Sequence, residues 1–90
     1  MDVIKRDGRR QELEVTKIKT SILNSSIDSK KIINEADLKI LTRGVVKILN
    51  SLRGDNGTTS SYEILAIVAS TLKNEGFREI AIAYLDFDKN

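Results

Sequence analysis

The sequence predicts a mainly α domain with a small β part, an α+β fold in which a four-helix bundle is capped by an N-terminal β-hairpin. Two observations predict it. The dipeptide Asp7-Gly8 lies between two short strand-like segments, and four later segments repeat apolar residues at helical spacing. With 90 residues the chain can bury one modest core, so we expect residues 1–90 to form a single domain.

The hairpin strands are predicted over residues 3–6 and 9–13. Asp-Gly is the pair that a two-residue type I′ turn prefers, because both central positions of that turn need positive φ. Such a turn would pair Lys5 with Arg10 across the strands and would place both side chains on the face of Val3. The opposite face of the hairpin would hold Ile4 and Leu13.

The first two helices are predicted from their apolar spacing and their ends. The first has Ile18 and Ile22 on one side and should fade in the polar run 24–26. The second should begin after the N-cap residue Asn34 and end at Gly54. Its buried face is predicted to be one stripe of residues three and four apart, namely Leu38, Leu41, Val45, Ile48 and Leu52.

The last two helices follow a segment, 54–59, that is predicted to be a loop. Ser60 with Glu63 three residues later is a capping box, which predicts the start of the third helix. Gly76 has the position of a helix-terminating glycine. A fourth helix is expected over residues 77–87, with Ile80, Ala83 or Tyr84, and Phe87 on its apolar side.

Composition removes several classes of function. The chain has no histidine and no cysteine, so it lacks the commonest general base and the thiolate ligands of metal sites. No nucleotide-binding P-loop and no activated nucleophile can be found either. The protein is therefore predicted not to be an enzyme. Because neither a membrane span nor an apolar leader segment is visible at the N-terminus, we expect a cytoplasmic protein.

The charge of the chain is concentrated near its N-terminus. Residues 1–19 contain six cations and four acids, whereas the rest of the chain contains nine of each. Four of those cations surround the predicted turn, and Lys17 follows in the first turn of the next helix. The charge pattern alone favours a solvated surface hairpin over an anion-binding site but leaves both open, because surface charge by itself establishes little.

Two motifs sharpen this choice. The run Val3-Ile4-Lys5-Arg6-Asp7-Gly8-Arg9, followed by Lys17-Ile18, resembles the ATP-cone family. This family is the nucleotide-binding regulatory module of ribonucleotide reductases and of the zinc-ribbon repressors of their genes. The resemblance extends over nearly the whole chain, since it includes the helix start Ser61-Tyr62-Glu63-Ile64 and the closing segment 80–87.

The resemblance implies a stand-alone, non-catalytic module that binds ATP or dATP as an effector, with or without Mg²⁺. Its partner would be a ribonucleotide reductase, a repressor or further copies of itself. Carried over by position, Val3 would lie against the base, Lys5 and Arg6 would meet the phosphates, Lys17 would reach them from the first helix, and Ser61 would lie beside the nucleotide. The charge pattern adds Arg10. Several positions depart from the family: Gln11 stands where an acid is usual, Leu13 replaces a typical Phe, Glu14-Val15 replaces a typical Asp-Pro helix entry, and Leu65 stands where some members have a ligand-contacting histidine.

One alternative remains open. The chain could have kept the fold and lost the nucleotide, and could serve as an interaction module for protein or nucleic acid through the same basic patch. Four aromatic residues in the sequence, none interleaved with the basic ones, do not favour nucleic acid.

Overall fold

The computed structural model describes residues 1–87, except for the side chain of Phe87, so the predicted packing of that side chain lies outside the described residues. Four helices and a small sheet confirm the α+β class. In chain order the elements are β1 (Asp2–Ile4), β2 (Arg10–Glu12), α1 (Val15–Asp28), α2 (Glu35–Arg53), β3 (Thr58–Ser60), α3 (Ser61–Asn74) and α4 (Arg78–Phe87). None of the helices within residues 1–87 is long and apolar enough to span a membrane.

The turn between β1 and β2 is one residue longer than predicted. The N–H of Lys5 donates to the carbonyl of Arg9 over 2.8 Å, and Gly8 adopts a positive φ of 86°. These features describe a three-residue loop that ends in a left-handed glycine, a common alternative to the two-residue turn. The side chain of Asp7 favours this loop because its Oδ1 accepts from the N–H of Arg9 over 3.1 Å.

The longer turn shifts the strand register by one residue, so the predicted register is wrong. Val3 pairs with Gln11 and Ile4 pairs with Arg10. Because side chains alternate along a strand, a shift of one residue moves a whole strand face to the other side. Arg10 therefore lies on the face of Ile4, away from Lys5, while Leu13 joins the face of Val3.

The sheet has a third strand where a loop was predicted. Strand β3 pairs parallel with β1 and places Thr59 beside Val3, which gives the strand order β2-β1-β3. Three residues flanked by Gly57 are too short for a periodic signal. Gly57 also lies so close to the end of α2 that an added Cβ would be 1.9 Å from the carbonyl oxygen of Arg53.

The core lies among the four helices. The predicted stripe of α2 is correct at its N-terminal end but drifts later, because Leu49 is fully buried whereas Ile48 and Leu52 are 42% and 60% exposed. Steps of three and four residues both fit a helix, so a run of consecutive apolar residues does not determine which one faces inward. The core side chains are Ile18, Ile22, Leu38, Leu41, Val45, Leu49, Val68, Leu72, Ile80, Ala81 and Tyr84.

The predicted helix ends are confirmed for α2 and α3. Asn34 Oδ1 accepts from the N–H of Asp37 over 2.7 Å, and Ser60 Oγ accepts from the N–H of Glu63 over 3.1 Å. Gly76 has a φ of 90° just beyond the end of α3. Helix α1 continues to Asp28, past the polar run in which it was expected to fade.

Candidate functional site

A cavity opens where the hairpin meets the N-termini of α1 and α3. We call it the Val3 cavity; its volume is about 160 Å³. Its lining combines Val3, which is almost fully buried, and apolar side chains from three helices with charged and polar groups. The lining residues are Val3, Lys5, Gln11, Glu12, Leu13, Glu14, Lys17, Ile18, Ser21, Ser61, Ile64, Leu65 and Tyr84.

A second depression adjoins this cavity on the side of the turn. We call it the turn groove; it has a volume of about 310 Å³ and is lined by Lys5, Arg6, Asp7, Arg9 and Ser61. Lys5 and Ser61 line both depressions, so the two are neighbouring parts of one surface. A depression of mixed apolar and polar lining and a cationic one therefore meet at these two residues.

The groups of the turn groove differ in how their charges are neutralised. Asp7 Oδ2 lies 2.7 Å from Nε of Arg9, and the backbone and side-chain N–H groups of Arg9 lower the pKa of the Asp7 carboxyl. The guanidinium of Arg6 lies 5.7 Å from the ring centre of Tyr62, within range of a cation–π contact. Within residues 1–87, no carboxylate oxygen lies within 4.0 Å of the Lys5 ammonium.

Two helix N-termini add donors to the same place. Helix α1 begins beside Glu14, whose side chain makes no capping hydrogen bond, and its first turn contains no acid. Helix α3 begins at Ser61, which lines the cavity. The first N–H groups of a helix lack partners within the helix and carry partial positive charge, which favours anions.

Five of the six predicted binding residues lie at this surface. Val3, Lys5, Lys17 and Ser61 line the Val3 cavity, and Arg6 lines the turn groove. Lys17 reaches Glu14 with an Nζ to Oε2 distance of 3.7 Å, an exposed and weak pairing.

Arg10 is the exception. It lines neither depression, because the observed strand register places its side chain on the other face of the hairpin. There its guanidinium lies 3.8 Å from Asp2. The predicted pairing of Arg10 with Lys5 is therefore wrong.

Sequence reasoning missed most of the apolar lining. Leu65 was noted only as a departure from the family, and Tyr84 was expected to be an ordinary core residue. Both line the cavity, and burial raises the pKa of the Tyr84 phenol. Periodicity could have found them only as core residues, because a helix residue beneath a cavity has the same spacing as one packed in the interior.

At the junction between β3 and α3, the carboxylate of Glu63 accepts several hydrogen bonds. Arg53 donates to both oxygens of Glu63, with Nε–Oε1 2.9 Å and Nη2–Oε2 2.6 Å, and the hydroxyl of Thr59 donates to Oε1 over 2.7 Å. These bonds, first that of Arg53 and then that of Thr59, lower the pKa of Glu63 to about 2. A charge-assisted bidentate pair of this kind fixes orientation as well as distance.

A larger groove of about 540 Å³ lies elsewhere, between Val15 and the outer face of α2. Its lining contains none of the six predicted binding residues. Volume alone does not identify an anion site, whereas converging cations and helix N-termini do. The chemistry therefore favours the Val3 cavity and the turn groove.

Comparison with known proteins identifies the family. The model of the family described as the ATP cone domain matches residues 1–90. No curated protein matches the chain. Domains of this family are nucleotide-binding regulatory modules, and no catalytic family is indicated. The match covers the whole sequence, including every residue that lines the two depressions, and the chain therefore belongs to the ATP-cone domain family.

Proposed function

We propose that this protein is a non-catalytic regulatory module that binds ATP or dATP in the Val3 cavity and turn groove and thereby acts on a partner such as a ribonucleotide reductase or its repressor. The nucleobase lies against Val3 in the Val3 cavity, and the phosphates extend past Lys5 into the turn groove. The proposed contacts are made by Val3, Lys5, Arg6, Lys17 and Ser61.

A single observation supports this proposal most strongly. The partly buried Lys5 lines both a cavity that contains apolar side chains and a cationic groove, and no carboxylate oxygen among the described residues lies within 4.0 Å of its ammonium. A nucleoside triphosphate has the matching arrangement, since an apolar heteroaromatic base is joined through a sugar to a chain of negative charge. Charge-assisted bonds from Lys and Arg are the strong contacts that such a chain accepts.

The surface also fits the ligand in the kind of donors it offers. The two helix N-termini add N–H groups that do not depend on side-chain ionisation. Within the described residues no group of three or more His, Cys, Asp or Glu side chains could hold a metal ion. Any Mg²⁺ would accordingly be held mainly by the phosphates, as is usual for this ion.

Calorimetric titration with ATP, dATP, ADP and GTP, run beside light scattering after gel filtration, tests the proposal. We expect ATP or dATP to bind more tightly than GTP and to change the mass distribution. The triphosphate should also raise Tm in proportion to ln(1 + [L]/Kd), because it binds only the folded state.

Two variants locate the site. Lys5→Ala and Lys17→Ala should each weaken triphosphate binding, Lys5→Ala by about 30-fold, since a hydrogen bond to a charged group contributes about 2 kcal/mol. Lys73→Ala is the matched control, because this exposed lysine lies at the far end of α3 from Ser61. An affinity that falls equally in all three variants, or a wild type that binds no nucleotide at millimolar concentration with Mg²⁺, would contradict the proposal and favour the ligand-free interaction module.

A further inference from the structure

We infer that Glu63 is a positioning residue of the nucleotide site: its bonds to Arg53 and Thr59 hold the N-terminus of α3, and with it Ser61, at the boundary between the Val3 cavity and the turn groove. This inference rests on the proposed function, because it concerns the same site. Glu63 itself lines neither depression, so any effect on nucleotide binding must pass through the elements that it holds.

Three elements meet at the carboxylate of Glu63. Glu63 is on α3, Arg53 is the last residue of α2, and Thr59 is in the middle of β3. Thr59 is buried, and its hydroxyl lies 2.7 Å from Glu63 Oε1. The backbone N–H of Glu63 is bound in turn by the hydroxyl of Ser60 over 3.1 Å. The carboxylate therefore ties one helix end, one strand and one helix start together.

The β3–α3 junction is connected through the sheet to β1, which carries Val3. Strand β3 pairs parallel with β1, so that Thr59 lies beside Val3 and Ser60 lies beside Ile4. Ser61 follows directly and lines both depressions. A displacement of β3 or of the first turn of α3 would accordingly move one wall of the site relative to Val3 and Lys5, and displacements of about 1 Å can change binding and catalysis strongly.

Arg53 is also connected to the sheet through the backbone. The loop after α2 passes so close to the helix end that Gly57 has no room for a Cβ beside the Arg53 carbonyl. The carbonyl of Gly57 accepts from the N–H of Asp2 over 3.1 Å, at the start of β1. The end of α2 is thus connected to the sheet through the backbone as well as through Glu63. Arg53 and the site therefore have little freedom to move relative to each other.

The experiment compares ATP affinity and Tm in variants that break the pair from either side. Glu63→Gln keeps the length of the side chain and an acceptor for Thr59, while Arg53→Met removes the guanidinium. Each should weaken ATP binding about tenfold, and the double variant should bind no more weakly than the weaker single variant, because both changes break one interaction. Arg53→Lys, which retains the charge, should recover part of the affinity. The backbone amide resonance of Ser61 should shift in Glu63→Gln without nucleotide.

Glu35→Gln is the matched control. Glu35 is at the opposite end of α2 from Arg53, and its exposed carboxylate pairs with Lys19 of α1. We expect the ATP affinity of Glu35→Gln to stay within about twofold of wild type at a temperature where all variants are folded. Wild-type affinity in both Glu63→Gln and Arg53→Met, or an equal loss in Glu35→Gln, would overturn the inference alone. A wild type that does not bind ATP would instead overturn the proposed function, and the inference with it.

Discussion

The turn groove and the β3–α3 junction differ in whether their charged groups have partners within the protein. In the junction, the carboxylate of Glu63 is bound by the guanidinium of Arg53 and the hydroxyl of Thr59. In the turn groove, three cations surround one acid, and Lys5 has no carboxylate partner within residues 1–87. The junction satisfies its charge internally, whereas the groove leaves the charge of Lys5 for a solvent ion or a ligand.

The difference shows how to separate structural charge from functional charge in a small domain. A carboxylate that accepts a bidentate pair from one element and a hydrogen bond from another contributes to the fold, and its loss should lower stability. Like charges held together contribute repulsion, and their loss should leave stability unchanged or higher. Variants in the two regions should therefore respond oppositely when stability and ligand affinity are measured side by side.

The largest effect on the junction is expected from Gly57→Ala. The new Cβ would lie 1.9 Å from the Arg53 carbonyl oxygen and 2.9 Å from the Arg53 Cβ, so the end of α2 must separate from β3. We expect the free energy of unfolding to fall by about 2 kcal/mol or more in urea denaturation, as for other overpacked positions.

Gly44→Ala is the control for this change. There the added Cβ meets only Thr71 Cγ2 at 3.8 Å, an ordinary contact, and alanine is the better helix former by about 1 kcal/mol. We expect Gly44→Ala to be neutral or stabilising. A Gly57→Ala protein as stable as wild type would show that the junction is loose enough to move, and the contrast between the two regions would lose its structural basis.

The sequence allowed the helices to be predicted better than the sheet, for a physical reason. Caps such as Asn34 and Ser60 act over three residues, so local sequence suffices to place them. Strand β3 has three residues and depends on β1, which is more than fifty positions away in the chain. The hairpin register depended on a choice between two turns, both of which Asp-Gly permits, and the hydrogen bond from the N–H of Arg9 to the Asp7 side chain favours the longer one.

An intermediate effect is expected from acid acting on Glu63. Its pKa is lowered from 4.5 to about 2 in the folded protein, so the stabilisation is complete above pH 4.5 and is lost as the pH falls from 4.5 through about 2. Wild type should exceed Glu63→Gln in stability by about 1 kcal/mol at pH 6, after allowance for screening at a partly exposed pair.

Comparing wild type with Glu63→Gln separates the effect of Glu63 from that of the other carboxylates that titrate in the same range. Asp7 and Glu35 also have lowered pKa values, but both variants retain them. Urea denaturation of wild type and Glu63→Gln at pH 6, 4 and 2 should show the difference shrinking towards zero. An equal difference at pH 6 and pH 2 would mean that the ionised carboxylate is not what stabilises the junction.

The composition of the site could be predicted in part. Lys5, Lys17 and Ser61 were chosen from sequence motifs, and the fold brings them to one cavity. Arg10 was chosen by counting pairs from an assumed turn, and one extra loop residue turned it away. Tyr84 could not be distinguished from the core, because burial under a cavity and burial in the interior leave the same pattern in a helix.

The smallest effect on stability, and the sharpest contrast with the junction, is expected from Lys5→Ala. No ion pair within the described residues is lost, and repulsion from neighbouring cations such as Arg9 and Lys17 is reduced, so the free energy of unfolding should change by no more than about 0.5 kcal/mol. With wild type, millimolar ATP should add more stability than it adds to Lys5→Ala, and this added stability should decrease as salt screens the phosphates. Urea denaturation with and without ATP, at low and high ionic strength, measures both the intrinsic change in the free energy of unfolding and the stability that ATP adds. A Lys5→Ala protein that is destabilised as much as Glu63→Gln would mean that Lys5 serves the fold, and the cationic groove would then be no evidence for a ligand.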